Sequence, residues 1–162
     1  MVSAQNRNLS DRLIRIIEGK AEELTHGTVK KLQSSARTGS YHDLSYQDLY
    51  RRVYEVYHDL GRWLWEKSND AVQEWYNGLG AKRYDEGIPL VEVLWALVLT
   101  KDRLLEYLAA YGLVDSAIEL YQQQEFDRLI GHFFDRAMCY TAEGYERRAS
   151  IHDRSGSATM AH

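Results

Sequence analysis

One cysteine and one proline among 162 residues set the first limits on this chain. Cys139 has no partner for an internal disulfide, so the stapled framework of a small secreted domain is excluded and nothing in the cysteine usage argues for secretion. The start, MVSAQNRNLSDRL, has no basic segment followed by an apolar run and no small-residue cleavage site, which predicts a cytoplasmic chain without a signal peptide. Positive charge is short as well. Twenty Lys and Arg stand against twenty-four Asp and Glu, for a net charge of -4, and the basic pairs Lys30-Lys31, Arg51-Arg52 and Arg147-Arg148 are separated by acids. Phosphate binding needs a concentrated positive surface, so no nucleic-acid partner is expected. Strand alternation of useful length is missing, as are G-x-S-x-G, H-E-x-x-H, a glycine-rich phosphate loop and G-x-G-x-x-G, which removes the common hydrolytic and nucleotide-binding signatures.

What is present is helical. The chain is 44% hydrophobic and 27% charged, a balance that belongs to globular rather than disordered sequences, and its length suits one domain. A first helix is predicted over about residues 10–36, capped by Ser10 or Asn8, with Leu13, Ile17, Ala21, Leu24 and Leu32 inward and a bend at Gly27. Ser45 followed by Asp48 resembles a capping box and starts the second helix. There Tyr46, Leu49, Val53, Val56, Leu60 and Trp63 recur at spacings of three and four, the clearest amphipathic pattern in the chain. Asn69 is placed to cap a third helix over 70–85, with Val72, Trp75, Tyr76 and Leu79 inward and Gly87 at its stop.

Pro89 takes the first position of a fourth helix, where its missing N–H costs nothing, and Gly112 ends it. From Ile88 to Leu99 the only charged side chain is Glu92. That all-round apolarity predicts a central helix enclosed by others, and it is too short for a membrane span, which takes about 20 apolar residues. A short fifth helix over 115–123 and a sixth over 125–149 follow, the last with a stripe of Phe126, Ile130, Phe133 and Ala137. The expected organisation is therefore a flexible N-terminus over 1–9, an all-α sensor or interaction domain over 10–149, and a disordered tail or linker start over 150–162. The architecture is a bundle of about six helices around the fourth, globin-like or antiparallel.

Candidate chemistry was sought at every plausible spacing. Glu23 with His26, and Glu55 with His58, match the E-x-x-H spacing of di-iron bundles, yet at 100° per residue both pairs fall off the apolar stripes, so no metal site is predicted. Haem ligation needs a His aimed at an apolar cavity. His132 is the best placed, but it lies on a charged face with Arg128, Asp135 and Cys139. Cys139 itself is two turns from His132, too far for a nucleophile and its base. Glu92 lies in a first helical turn, where a carboxylate favours the positive helix end. No catalytic residue and no cofactor are assigned. The aromatic second helix is the remaining signal: Tyr50, Tyr54, Tyr57, Arg62, Trp63 and Trp65 cover a wide arc, and Tyr, Trp and Arg anchor interfaces, although such rings also fill bundle cores with their polar tips wet. A homodimer through this helix is the expectation.

The phrases LSYQDLYRRVYEVYHDLGRWL, RYDEGIPLVEVLWALVLTKDRLLEYL and FFDRAMCYTAEGYERRA together resemble consecutive helices of the N-terminal domain of RsbT co-antagonist proteins of the RsbRD kind, a domain similar to input modules of bacterial histidine kinases. The resemblance covers residues 10–149. It implies a non-enzymatic sensory input domain that dimerises and acts on a STAS or kinase partner in a stressosome or two-component system. It also implies a non-haem globin-like fold, with a haem or small-ligand-binding sensor as the alternative. No phosphoacceptor is carried over by it.

Overall fold

A computed structural model describes residues 4–66, 69–111 and 116–159, and every regular element among them is helical. Six α-helices carry the fold: α1 Ala4–Gly19, α2 Ala21–Ser34, α3 Tyr46–His58, α4 Asn69–Asp85, α5 Leu90–Ala110 and α6 Ala117–Thr159. A 3-10 segment, Ala36–Tyr41, joins α2 to α3, and a wide π turn, Arg62–Glu66, lies between α3 and α4.

Local chemistry sets several boundaries where the sequence places them. The Ser45 hydroxyl accepts the Asp48 N–H at 3.1 Å and starts α3. At the end of α4, Gly87 turns left-handed with φ 73°. Its N–H reaches the Tyr84 carbonyl at 2.9 Å and the Ile88 N–H reaches Arg83 at 3.1 Å, the paired bonds that close a helix around a glycine. Ile88 then buries its side chain. Pro89 stands at the cap of α5, one position before the first helical turn.

Other boundaries differ. The expected first helix is two, parted at Lys20 beside Gly19. Gly27, predicted to bend it, lies inside α2 and leaves room for the Arg103 guanidinium, whose Nε would stand 3.0 Å from an added Cβ. The second helix stops at His58, capped at Asp59, and Gly61 beyond it is pressed against α1: an added Cβ would lie 2.6 Å from Ile14 Cγ2. The predicted fifth and sixth helices are the single 43-residue α6, since the Gln122-Gln123-Gln124 run between them contains good helix formers and no breaker. The same helix continues through residues 150–159, where an irregular tail was expected. Gly112, the predicted stop of the fourth helix, lies outside the described residues.

The broadest contact is between α4 and α6, which run in the same direction, with Asn69 beside Tyr140, Asn77 beside Gly144 and Asp85 bonded to Arg148. Helix α5 runs back between their ends and packs on α2 and α6. Phe126, Ile130, Phe133, Phe134 and Ala137 of α6 are fully buried in one core with Leu13 and Ile17 of α1 and Val72 and Tyr76 of α4, the elements α6 packs on, while Leu49 and Tyr57 of α3 close the same core from the side of α2. Each large side chain so enclosed contributes about 1.5–3 kcal/mol.

The apolar α5 is not enclosed. Val93, Ala96, Leu97, Leu104 and Leu108 face the core, but Val91 is 60% exposed, and Leu94, Trp95 and Val98 are half-buried outside the packed cluster. Trp75, expected inward, is 48% exposed.

Candidate functional site

The six aromatic and arginine residues expected to form one surface are divided between core and exterior. Tyr57 is fully buried. Its hydroxyl donates to the Thr100 carbonyl at 2.8 Å and meets Thr28 Oγ1 at 2.7 Å, tying α3 to α5 and α2. Burial pushes its phenol well above the ordinary value. Trp63 is also core, packed against Tyr76 at 6.1 Å between ring centroids. Neither residue can be an interaction surface, because the bundle has already covered it. Arg62 is exposed, and the Trp65 side chain lies outside what is described.

Tyr50 and Tyr54 do face outward, in a row the sequence reading took for part of a wide arc. Four successive ring pairs, His26–Tyr46, Tyr46–Tyr50, Tyr50–Tyr54 and Tyr54–His58, have centroids 5.9, 5.9, 5.7 and 5.2 Å apart. The i, i+4 spacing on α3 makes the row, and His26 Nδ1 closes it with a 2.6 Å hydrogen bond to the Tyr46 hydroxyl. Tyr50, Tyr54 and His58 stack, at interplanar angles of 13° and 26°, while Tyr46 is tilted against Tyr50 and meets His26 edge-on.

Beside this row, α3 and α4 leave between them an open groove of about 760 Å³. One end is cationic. Arg52 grips Glu86 with two bonds of 3.0 and 3.1 Å, and the buried Arg83 reaches the same carboxylate at 3.1 Å. Arg83 is pulled down from the usual guanidinium value by burial and by Arg52, while Glu86 opposes the shift. Burial raises the neighbouring Tyr41 phenol, against the two arginines. Arg51 and Lys82 complete that end. At the other end Trp63 and Trp75 lie 5.7 Å apart and tilted by 53°, with Asp59 and Glu74 at the rim. Val56 and Leu79 form the middle. Two polar atoms of lining residues, the Tyr76 hydroxyl and Arg52 Nε, are buried without a partner among the described residues. The sequence reading missed the groove because α3 and α4 were read as separate stripes and Trp75 as a core residue.

The remaining candidates take structural roles. Glu92 accepts the Ser40 N–H at 2.6 Å and anchors the 3-10 segment to α5. His58 pairs with Asp59 at 3.2 Å, and Glu23 accepts from Tyr107 at 3.5 Å. His132 and Cys139 are exposed on α6. Among the described residues, no three His, Cys, Asp or Glu side chains group to hold a metal ion, and no helix is long and apolar enough to cross a membrane.

No family model, curated protein or solved structure matches this chain.

Proposed function

We propose that this chain is a non-enzymatic signalling input domain of the bacterial stress-response or two-component kind, acting through protein contacts as a homodimer and on a STAS or kinase partner. The observation that carries this reading is the uncovered side of α5. Leu94, Trp95 and Val98 lie in line with the 60%-exposed Val91 on the chain's most apolar helix, outside the packed core. Uncovered apolar strips of this kind are where chains associate. A second copy is the fitting occupant because two such strips laid antiparallel about a twofold axis cover apolar with apolar. The Arg37 guanidinium lies over one face of the Trp95 ring, 4.0 Å from its centroid, so Val91, Leu94 and Val98 are the open part of the strip. The dimer surface is thus assigned to α5 instead of α3 and the turn after it, whose best anchors, Tyr57 and Trp63, belong to the core.

The finer form of this reading is a non-haem globin-like domain. Its support is the packing of the long apolar α5 against α2 and α6, together with the surface position of His26, His42, His58, His132 and His152, none of which is aimed into the core.

Native mass spectrometry tests the proposal. Wild-type protein is expected at twice the chain mass, and the pair Val91→Glu with Val98→Glu at the single mass with unchanged circular dichroism. A monomeric wild type, or a variant that still pairs, overturns the assignment. A Soret band in freshly purified protein would turn the reading to a haem sensor.

A further inference from the structure

We propose that the groove between α3 and α4 binds a short peptide by both of its free ends. This site is separate from the α5 strip and does not depend on pairing there.

The groove's charge layout carries the inference. At one end the exposed Lys82 has no ion partner among the described residues and Arg51 is held by Asp48 at 3.4 Å, whereas both Nη atoms of Arg52 are taken by Glu86. A carboxylate is the group that such donors take up. At the other end the half-exposed indole of Trp75, backed by the buried Trp63 at 5.7 Å, shares the lining with the acids Asp59 and Glu74. Aromatic faces flanked by carboxylates suit an ammonium group. Glu55, on α3 between the two ends, is the charge in the lining that opposes an anion near Arg51.

Span and middle fit the same ligand. Eight residues of chain separate Arg51 from Asp59, about 12 Å by helical rise. An extended peptide covers that length with about four residues, at roughly 3.3–3.6 Å each. Val56 and Leu79 give the centre an apolar wall. Tyr76, which also lines the groove, has a fully buried hydroxyl without a partner among the described residues. A ligand in the groove would lie against the wall to which its ring contributes. The 48%-exposed indole of Trp75 would be covered at the same time.

Isothermal titration of the full chain with the tetrapeptide AVLA, its N-acetyl form and its C-amide tests this. The free peptide is expected to bind saturably, and each blocked form at least roughly tenfold more weakly, as the loss of a charge-assisted contact implies. Glu74→Gln should remove the preference for a free amine, and Lys82→Gln the preference for a free carboxylate. Both residues are exposed, so circular dichroism should be unchanged. Absence of saturable heat at millimolar peptide, or equal binding of free and blocked forms, overturns the proposal.

Discussion

Two buried tyrosines separate what a hydroxyl does from what a ring does. Tyr57 and Tyr76 are both fully enclosed, but Tyr57 bridges Thr28 and Thr100 while the Tyr76 hydroxyl meets no partner among the described residues. Removing a paired buried hydroxyl leaves its former partners unsatisfied, so Tyr57→Phe should cost about 1–3 kcal/mol in urea denaturation. Tyr76→Phe removes an orphan and should be neutral or stabilising. The two phenols also dictate behaviour in alkali. Burial raises both above the ordinary value of about 10, so the unfolded chain loses these protons first as pH rises. Above that pH the folded state binds more protons, and its stability falls by up to about 1.4 kcal/mol per pH unit for each phenol. Below it the contribution is fully present. Denaturation midpoints at pH 8 and pH 11 should therefore diverge less in the Tyr57→Phe/Tyr76→Phe pair than in wild type, and equal divergence would show that these rings ionise in the folded state.

At the scale of elements, the α4–α6 pair depends on two glycines that stand at the crossing. A Cβ at Gly80 would collide with the Thr141 carbonyl oxygen and lie 2.7 Å from the Tyr145 nitrogen, and one at Gly144 would meet the Asn77 backbone. Backbone cannot swing aside as a side chain does. Gly80→Ala or Gly144→Ala should thus lower stability by about 1–3 kcal/mol or more. Gly78, on the same helix with nothing within 4 Å, should instead gain about 0.5–1 kcal/mol as alanine. Thermal unfolding of the three variants reads the opposite signs directly. This dependence was hidden in the sequence, where a helical glycine signals only a weak point and its neighbour across the crossing is unknown. The same limit explains Gly27 and Gly61, whose missing side chains accommodate Arg103 and α1. Signals that act within one turn were legible: Ser45 starting α3, Gly87 ending α4, and the buried row of Leu49, Val53 and Leu60. The groove and the uncovered face of α5 were not, because both depend on which neighbour stops short, and periodicity records only that a face is apolar.

On the scale of the whole molecule, α6 is the outlier. Its 43 residues extend about 65 Å at 1.5 Å per residue, whereas a compact chain of this length has a radius of gyration of only about 15 Å. The first two-thirds of α6 supply the core, through Phe126, Ile130, Phe133 and Phe134, and residues 151–158 continue the helix with every side chain exposed. Ser155, Gly156 and Ser157 are poor helix formers, so this extension owes its form to continuity with the packed part rather than to its own propensity. If the proposed input function holds, a helix rooted in the core would carry a rotation of that core outward to whatever follows it. The consequence is a dependence on helical phase. With the chain joined through Thr159 to a histidine kinase output domain, one alanine inserted after Arg154 turns everything beyond it by 100°, whereas seven restore the phase to within about 20°. Kinase activity is expected to change with one or two inserted residues and to return with seven. An output that declines steadily with insertion length, indifferent to phase, would mean that α6 acts as a tether, leaving the contacts at α5 to carry the signal alone.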